Sequence, residues 1–401
     1  MALSRPPQVC IVTVDPSGDA IGAALAEALN RRAEVQLIGA GGPLMREAGV
    51  ELLSETTHLT AVGAVGWLAV YARAWVCYRL LLRALARRRP DLLVPIDSGG
   101  FNMPLVRAAK RRSGLKVLYY VPPRSWHRDW RVAPLAPVVD YVAAPFPWNP
   151  AGDDGSGRVR FVGHPAADLP TRLPPTAEVR ESLGLAVDRP TLALLPGSRR
   201  WELGMHLPLL AETVRLLRAK VPGLQVVVSR ARNVKAQSVE ASVRGMGDAH
   251  AAEGAGLALR AADAALVCMG TATLEACVLG VPLVAFYRCT RLTSLQLLVW
   301  TPSTRLFALP NIIAGEAIVT ELLQEEASAE RLAGEVLPLL VDGGARAAAR
   351  ERLSEVAQLL GGPGASDRAA QAVLDALTGC WHAPTAAACP SAVGETARSV
   401  S

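Results

Sequence analysis

The first half of the chain alternates short, continuous apolar runs with longer stretches in which apolar residues recur every three or four positions. The short runs predict buried strands, and the stretches between them, such as residues 18–31, predict helices. Continuous apolar strands that alternate with helices are typical of a parallel sheet covered on both faces. The predicted strands are Val9–Val14, Val35–Gly39, Leu92–Ile96, Val117–Val121, Tyr141–Ala143 and Arg160–Val162.

A second series of the same kind follows a linker. Residues 168–190 are rich in proline and polar residues, which favours a linker with one short helix. From residue 327 to 378 the pattern is helical throughout, and the residues after it are small, polar and aperiodic. The strands predicted between the linker and these helices are Thr191–Leu195, Leu224–Ser229, Ala264–Val267 and Pro282–Phe286.

These patterns predict two doubly wound α/β domains in tandem, facing a central cleft. We expect the first domain over residues 1–168 and the second over 169–342. Helices over 343–379 are expected to pack back toward the first domain, and residues 380–401 to form a disordered tail. In such sheets ligands bind beyond the carboxyl ends of the strands, so the cleft is a natural place to join two substrates.

Composition narrows the class of protein. Of the 401 residues 51% are hydrophobic and 19% charged, which excludes a disordered chain. The net charge of +6 is almost all arginine and permits an anionic ligand or an anionic membrane surface. No basic run is interleaved with aromatic residues, so nucleic acid is not expected as a partner. The seven scattered cysteines form no C-x-x-C pair, which argues against disulfides and zinc and favours a reducing compartment.

The strongest local signal for chemistry ends the first strand of the second series. Gly197 allows the backbone to approach a ligand closely, Ser198 offers a hydroxyl, and the helix that follows offers free N–H groups to an anion. Arg199 can bind phosphate oxygens with its two-pronged guanidinium. The alternative, equally weighted on these residues alone, is a turn with a capping serine and a solvated arginine.

A second strand–glycine–helix junction lies further along the chain. Gly270, Thr271 and Ala272 open a helix, and Glu275 follows in its first turns, where a carboxylate can accept both hydroxyls of a ribose. The alternative for Glu275 is a simple favourable interaction with the helix dipole. Two such junctions in one half of the chain favour a nucleoside diphosphate over the structural alternative.

Polar residues also follow the predicted strands of the first half. Asp15 and Asp97 stand where strands end, and a carboxylate held there is suited to act as a general base. The structural alternatives are a helix cap, which Ser17 and Asp19 could also provide, and an Asx turn. His164 ends the last strand of this half; a single histidine is more often structural, but this one also faces the expected cleft.

One stretch of the first half has the pattern of a helix at a membrane surface. Apolar and aromatic residues over 67–82 are interrupted by Arg73 and Arg79, and further arginines follow. Such a stretch can lie in the lipid interface while its arginines contact anionic headgroups, or it can be an ordinary packed helix. No run approaches the roughly 20 apolar residues that a membrane-spanning helix needs, and the N-terminus lacks the pattern of a signal peptide.

Together these segments resemble the lipid-A-disaccharide synthase family of inverting glycosyltransferases, which have the GT-B fold of two Rossmann-like domains. The resemblance runs from about residue 9 to about residue 378. Each motif is weak by itself, but their number and order make the resemblance specific. The motifs are Ser17–Asp19, Val62–Val65, Ile96–Asp97 with Phe101–Asn102, Phe161–His164, Leu194–Arg199 with Glu202, Gly270–Ala272 with Leu274–Glu275, Tyr287–Arg288, Leu309–Gly315 and Glu321–Gln324.

The resemblance implies a defined reaction. Family members transfer 2,3-diacylglucosamine from its UDP derivative to the 6-hydroxyl of 2,3-diacylglucosamine 1-phosphate, at the cytoplasmic face of the inner membrane. The products are a β-1,6-linked disaccharide 1-phosphate and UDP. We therefore expect these two acylated sugars as partners, peripheral contact with that membrane, and neither a cofactor nor a metal, since no D-x-D motif is present. The oligomeric state stays open.

The resemblance also implies roles for individual residues. Asp97 is expected to be the general base, with Asp15 or His164 as alternatives. The acceptor-side residues are expected to be Ser17, Gly18, Asp19, Asn102 and Trp126. The residues expected to bind the UDP-sugar are Gly197, Ser198, Arg199, Gly270, Thr271, Ala272, Glu275, Tyr287, Arg288 and Asn311.

The departures from the family pattern lie in the first half. Asp15 replaces a glutamate and Pro16 follows it; the family's P-S-x-W-A-W-R loop keeps only Pro123 and Trp126; and Gly100 stands where a second acidic residue is usual. Shortening a carboxylate side chain by one methylene is enough to change positioned catalysis. Two alternatives therefore stay open: a related enzyme with a UDP-sugar donor and another acceptor, and a non-catalytic protein that binds a nucleotide sugar.

Overall fold

The structure is a computed structural model of the chain. It describes residues 5–57, 67–232, 234, 236–290 and 306–381, with the side chains of residues 67–72 excepted. The motif at residues 62–65 and the expected tail from residue 382 onward lie outside the described residues.

The first domain is built on parallel strands. One sheet has the order β3-β2-β1-β4 and another the order β5-β6-β7. Parallel bridges from Leu93 to Val117 and from Ile96 to Tyr120 join β4 to the β5 segment, so the two sheets form one continuous array. The strands are β1 (Gln8–Val12), β2 (Gln36–Gly41), β3 (Glu51–Glu55), β4 (Leu92–Pro95), β5 (Leu118–Tyr120), β6 (Tyr141–Ala144) and β7 (Val159–Phe161).

In the described part of this domain, four α-helices accompany these strands. The first starts at a proline, whose fixed φ suits the first helical turn, and buries a face of small residues and leucines. The fourth ends at Gly114, where φ is 60°, a conformation that glycine adopts without strain. The helices are α1 (Pro16–Arg32), α2 (Pro43–Glu47), α3 (Trp67–Arg88) and α4 (Gly99–Ser113).

The second domain contains one six-stranded parallel sheet with the order β10-β9-β8-β11-β12-β13. Its central strands are completely buried, as their continuous apolar sequences predict. The strands are β8 (Thr191–Leu195), β9 (Gln225–Arg230), β10 (Ala249–Glu253), β11 (Ala264–Cys268), β12 (Leu283–Tyr287) and β13 (Thr320–Leu323).

Short helices fill the linker, and longer helices cover the second sheet and close the chain. The linker helices are α5 (Leu169–Arg172) and α6 (Thr176–Ser182). The others are α7 (Arg200–Arg218), α8 (Gln237–Gly245), α9 (Ala255–Arg260), α10 (Ala272–Val278), α11 (Leu309–Ala314), α12 (Ala329–Val341), α13 (Gly343–Gln358) and α14 (Ala365–Thr378).

The C-terminal helices divide between the two domains. The small buried residues of α14 lie in the core of the first domain against α1. The expectation that all of 343–379 packs toward the first domain is wrong for α13, because its apolar residues Leu353 and Val356 lie in the core of the second. Trp381, expected in the disordered tail, packs against Tyr141 with the ring centroids 4.8 Å apart and donates a hydrogen bond to the Gly157 carbonyl.

Candidate functional site

The loops with the predicted chemistry follow adjacent strands at the point where each sheet reverses its strand order. In the first domain these strands are β1 and β4, which Asp15 and Asp97 follow; in the second they are β8 and β11, which Gly197 and Gly270 follow. In doubly wound sheets this point is where a crevice opens for a ligand. The structure therefore brings the predicted loops together in pairs, one pair in each domain.

Asp15 is fixed by hydrogen bonds at the start of α1. Its Oδ1 accepts from the Gly18 amide at 2.7 Å and from the Ser17 hydroxyl at 2.6 Å, so the expected helix cap is present. Its Oδ2 accepts from the Ser98 hydroxyl, which belongs to the loop after β4. Asp15 thus connects the loop after β1 to the loop after β4, the two loops of the first domain that contain candidate catalytic residues.

Asp97 is held through its backbone rather than through its carboxylate. Its φ is 43°, in the left-handed region that is unfavourable for a residue with a side chain. The Tyr119 hydroxyl donates to its carbonyl at 2.7 Å, and the Asn102 amide donates to the same carbonyl at 3.0 Å. Strain of this kind, maintained by surrounding hydrogen bonds, is common at functional sites.

The electrostatic surroundings of Asp97 suit a general base. Burial, and next the negative charge of Asp15, raise the pKa of Asp97 to about 7, although the Ser98 amide partly opposes this. A carboxyl with a pKa near the working pH can take up a proton and release it again. Asp97 is therefore the best-placed base candidate in the first domain.

Two other acceptor-side candidates have structural partners. Asp19 is buried and accepts from the amides of Gly42 (2.7 Å), Leu44 (3.1 Å) and Met45 (3.1 Å), so it holds the start of α2. Burial raises the pKa of Asp19. Asn102 is buried and donates to the carbonyls of Ile96 and Asp97, which fixes the Asp97 loop.

His164 and Trp126 lie where the two domains meet. His164 is buried and its Nδ1 accepts from the Ala166 amide at 3.1 Å, which caps a short helix. Burial lowers the pKa of His164 to about 4, so the ring is neutral at physiological pH. Trp126 packs against the core of the second domain. Arg128, which the sequence analysis did not single out, donates to the Ile313 carbonyl at 3.0 Å and so connects this loop to α11.

In the second domain, the loop after β8 already contains an internal anion. The Glu202 carboxylate accepts from the amides of Ser198 (2.9 Å) and Arg199 (3.0 Å) and from the Arg199 guanidinium (2.6 Å). Gly197 has a φ of 108°, and a Cβ there would lie 2.4 Å from Glu202 Oε2. The expectation that these N–H groups are free to bind a phosphate is wrong for Ser198 and Arg199, because Glu202 occupies them.

His206 is a residue of this site that the sequence analysis missed. It is fully buried, and its Nδ1 lies 2.7 Å from the Pro196 carbonyl while its Nε2 accepts from the Arg288 amide at 3.2 Å. It therefore connects the loop after β8 to the turn after β12. The available signal was a polar residue within the apolar face that Leu203, Leu207 and Leu210 form on α7.

The loop after β11 leaves a carboxylate without a partner. The hydroxyl of Thr273 donates to the Gly270 carbonyl at 2.7 Å, which shapes the turn before α10. Glu275 follows Thr271 and Ala272 and is half-buried, and within the described residues its carboxylate makes no hydrogen bond or ion pair. Burial raises the pKa of Glu275 to about 7. An unpartnered acidic group of this kind is suited to accept hydrogen bonds from ligand hydroxyls.

The other residues expected to bind the UDP-sugar differ in whether their side chains are free to contact a ligand. Tyr287 packs edge-on against Trp201 at 6.0 Å, and Arg288 donates from Nε to the Gln324 carbonyl at 3.2 Å. The buried Asn311 side chain makes all four of its hydrogen bonds, to the Val319 carbonyl and Glu321 and from the amides of residues 318 and 319. Asn311 therefore has no free donor or acceptor for a ligand and instead positions the loop after α11.

Two kinds of feature are absent from the described residues. No group of three or more histidine, cysteine or acidic side chains in the described ranges is arranged to hold a metal ion. Within those same ranges, no helix combines the length and the apolar character needed to cross a bilayer.

Comparison with solved structures shows the fold. A UDP-N-acetylglucosamine 2-epimerase from Neisseria meningitidis, bound to UDP-GlcNAc, is similar with a TM-score of 0.62 at 12% identity, covering 92% of this chain and 100% of that chain. MurG from Acinetobacter baumannii is similar with a TM-score of 0.55 at 15% identity, over 92% of this chain and 100% of that chain. The expected GT-B architecture of two Rossmann-like domains is confirmed.

Comparison of sequences shows the family. The chain is 38% identical over 93% of its length to the lipid-A-disaccharide synthase of Trichlorobacter lovleyi, of which it covers 98%. It is 35% identical over 94% of its length to that of Myxococcus xanthus, of which it covers 99%. The family model described as lipid-A-disaccharide synthetase matches residues 9–376. The chain is a glycosyltransferase that belongs to the lipid-A-disaccharide synthase family.

Proposed function

We propose that the chain transfers 2,3-diacylglucosamine from UDP-2,3-diacylglucosamine to the 6-hydroxyl of 2,3-diacylglucosamine 1-phosphate. The products are the β-1,6-linked disaccharide 1-phosphate and UDP. The observation that carries this proposal is Asp97, a strained and half-buried carboxyl with a pKa of about 7 at the point where the first sheet reverses its order. Such a group supports transfer to a hydroxyl, because the hydroxyl must lose its proton as it attacks.

In the proposed reaction Asp97 accepts the proton of the acceptor hydroxyl. The hydroxyl oxygen forms a bond to the anomeric carbon while the bond from that carbon to the diphosphate oxygen breaks, which inverts the configuration and releases UDP. Arg199 and Arg288 stabilise the negative charge that develops on the diphosphate. Glu275 accepts hydrogen bonds from the ribose hydroxyls of the donor. Because Glu202 occupies two loop amides and one nitrogen of the Arg199 guanidinium, the remaining N–H donors of the two arginines carry most of the contact with phosphate.

The first experiment incubates the purified full-length protein with the proposed donor and acceptor and follows the products by mass spectrometry. A tetra-acylated disaccharide 1-phosphate together with UDP supports the proposal. Product with a differently acylated or non-acylated acceptor, and none with the proposed one, would replace it with the related-transferase alternative. Binding of UDP without any transfer would instead indicate a non-catalytic protein. Replacing Arg199 and Glu275 together is expected to abolish UDP binding, and unchanged binding would refute the donor-site assignment.

We also propose that the protein works at the surface of the inner membrane, on its cytoplasmic side. The acyl chains of both substrates would reside in the bilayer. Three side chains of α3 support this placement: Trp75, Val76 and Leu80 are 59%, 50% and 48% exposed. Exposed aromatic and aliphatic groups beside arginines are typical of helices that lie at a lipid interface. Co-sedimentation of the protein with anionic vesicles, absent with the Trp75→Ser/Leu80→Ser variant, would support this proposal.

A further inference from the structure

A basic pocket lies between α3 and α4, away from the predicted catalytic loops. Its volume is about 410 Å³, and it is open to solvent on one side. Tyr78 joins the two helices, with its ring edge-on to Phe101 at 6.3 Å. The polar and aromatic groups that line the pocket are Trp75, Tyr78, Arg79, Arg83, Arg111 and Arg112.

The arginines of this pocket lack counter-charges. None of the lining residues is acidic, and within the described part of the chain none of the four guanidinium groups makes an ion pair or a hydrogen bond to another residue. Two basic residues outside the pocket on the same helices are paired: Lys110 contacts Asp140 at 2.5 Å, and Arg88 contacts Glu51. What distinguishes the pocket is that four guanidinium groups without an acidic partner line one space.

The donor geometry of the pocket fits a phosphate group. Each guanidinium can offer two parallel N–H donors to a pair of phosphate oxygens, and four of them around one space suit a doubly charged phosphomonoester. Arg79 also lies over the Trp75 ring at 4.9 Å, which holds its guanidinium at the rim. An anion bound here would relieve the repulsion among the four positive charges.

The surroundings of the pocket indicate that this phosphate belongs to a lipid. Trp75, Arg79 and Arg83 recur every four residues and so share one face of α3, while the exposed Val76 and Leu80 lie on the adjacent face. A headgroup in the pocket would place its acyl chains beside these apolar side chains. A water-soluble phosphate would gain nothing from them.

The pocket is distinct from the acceptor site. Helix α4 begins at Gly99, directly after the Asp97 loop, whereas Arg111 and Arg112 lie in its last turn. At 1.5 Å per residue the two ends are about 18 Å apart, too far for a single phosphate to serve both. A single helix therefore connects the pocket to the catalytic loop, and an occupied pocket would fix the distance of Asp97 from the bilayer.

We propose that the pocket between α3 and α4 binds the phosphate headgroup of an anionic membrane phospholipid and so orients the enzyme on the membrane. This inference rests on the proposed placement at the membrane surface. It adds a defined site, with a preference for phosphomonoester headgroups, to what would otherwise be a general attraction between arginines and negative charge.

The test compares vesicles of equal surface charge that contain either phosphatidic acid or phosphatidylserine, with the full-length protein in a co-sedimentation assay. The wild-type protein is expected to bind the phosphatidic acid vesicles at least about fivefold more tightly, since a phosphomonoester can accept more charge-assisted hydrogen bonds. The Arg111→Gln/Arg112→Gln variant is expected to lose this preference. The matched control, Arg87→Gln/Arg107→Gln, removes the same charge from exposed positions on the same two helices outside the pocket and is expected to keep it.

Each contrary outcome points to a different error. Equal binding to both vesicle types, or equal losses in the two variants, would overturn the headgroup site while leaving the membrane placement intact. No binding of the wild-type protein to any vesicle would refute the membrane placement itself. Displacement by soluble glycerol 3-phosphate at the concentration at which vesicle-borne headgroups act would show that the pocket takes a soluble phosphate instead. Unchanged thermal unfolding of both variants verifies that they fold.

Discussion

The loops of the two domains are prepared for their ligands in opposite ways. In the first domain, Asp97 has a strained backbone and a carboxyl whose pKa is raised to about 7. In the second, the loop around Gly197 is tied to Glu202 and His206 by hydrogen bonds of 2.6 to 3.0 Å. The first arrangement stores free energy in a reactive group, and the second uses buried partners to fix the shape of a binding surface.

The two arrangements predict which kinetic quantity each kind of substitution should change. Changes near Asp97 are expected to alter the chemical step and therefore kcat, because the proton acceptor functions only as the acceptor hydroxyl attacks. Substitutions of the buried residues that hold the second-domain loops are expected to alter UDP affinity and KM, because those loops already have their shape before the donor binds.

The largest expected effect is on turnover in Asp97→Asn. An amide cannot take the proton of the attacking hydroxyl, so kcat should fall by about 10²- to 10⁴-fold while the dissociation constant of UDP stays unchanged. Steady-state kinetics and calorimetry measure the two quantities. The control is Asp188→Asn, an exposed aspartate in the linker, which should leave both unchanged. A fall in kcat of less than about fivefold would mean that Asp97 is not the general base.

The same substitution should stabilise the fold, and most strongly at neutral and higher pH. The folded protein keeps the Asp97 proton up to a pKa of about 7, whereas the unfolded chain releases it near the ordinary value of 3.8. The raised pKa of Asp97 therefore costs folding free energy that is fully present above pH 7 and disappears as the pH falls toward 4. Chemical denaturation should show that Asp97→Asn raises the free energy of unfolding by about 4 kcal/mol at pH 8 and by nearly nothing at pH 4. An equal effect at both pH values would mean that folding does not raise the pKa of Asp97.

The sequence predicts the interior of both sheets well, but it misses three of their four edge strands. Continuous apolar runs identified β1, β4, β8, β11 and β12 to within one or two residues. The strands it missed, β3, β10 and β13, all lie at a sheet edge and contain glutamates. An edge strand is partly exposed, so it needs no continuous apolar run and its pattern does not differ from that of a loop.

The candidate site shows the same limit. The positions of Asp15, Asp97, Gly197 and Gly270 after strands followed from the pattern, because parallel strands end at one edge of a sheet. The sequence did not predict which of these side chains are free to bind a ligand. Asn311 makes all of its hydrogen bonds internally, and Glu202 takes up two amides of the loop after Gly197. Such pairings depend on contacts between residues that are separated in the chain or on exact loop geometry.

In the second domain, His206→Leu tests whether a buried partner shapes the donor loops. The leucine would leave the Pro196 carbonyl and the Arg288 amide without their partner, which costs about 2 kcal/mol for buried polar groups. We expect UDP affinity to fall by about tenfold and kcat to change little. His206→Asn, which can still donate to the Pro196 carbonyl, should recover part of the affinity. Equal losses in both variants would indicate a requirement for ring packing against Phe286 rather than for the hydrogen bonds.

Glu275→Gln is expected to have a somewhat smaller effect on the same quantity. The carboxylate makes no hydrogen bond or ion pair with described residues, so its replacement should not disturb the fold. The loss of charge-assisted hydrogen bonds to the ribose should weaken UDP binding by about fivefold to tenfold. The affinity for uridine 5′-diphosphate with a 2′-deoxyribose should change less. Glu351→Gln, at an exposed position on α13, is the control. Equal weakening of the binding of both nucleotides would mean that Glu275 does not contact the ribose.

The smallest expected effect is a shift in the pH dependence of turnover in Asp15→Asn. In the wild-type enzyme kcat should rise with pH through about 7, because only ionised Asp97 accepts a proton. Removing the negative charge of Asp15 removes one cause of the raised pKa of Asp97, so the rise should move to lower pH by about half a unit to one unit. The side-chain carbonyl oxygen of this variant can still accept from the Gly18 amide, so the start of α1 is retained. A pH profile of kcat that keeps its midpoint would mean that burial alone sets the pKa of Asp97, and Asp15 would then act only through its hydrogen bond from Ser98.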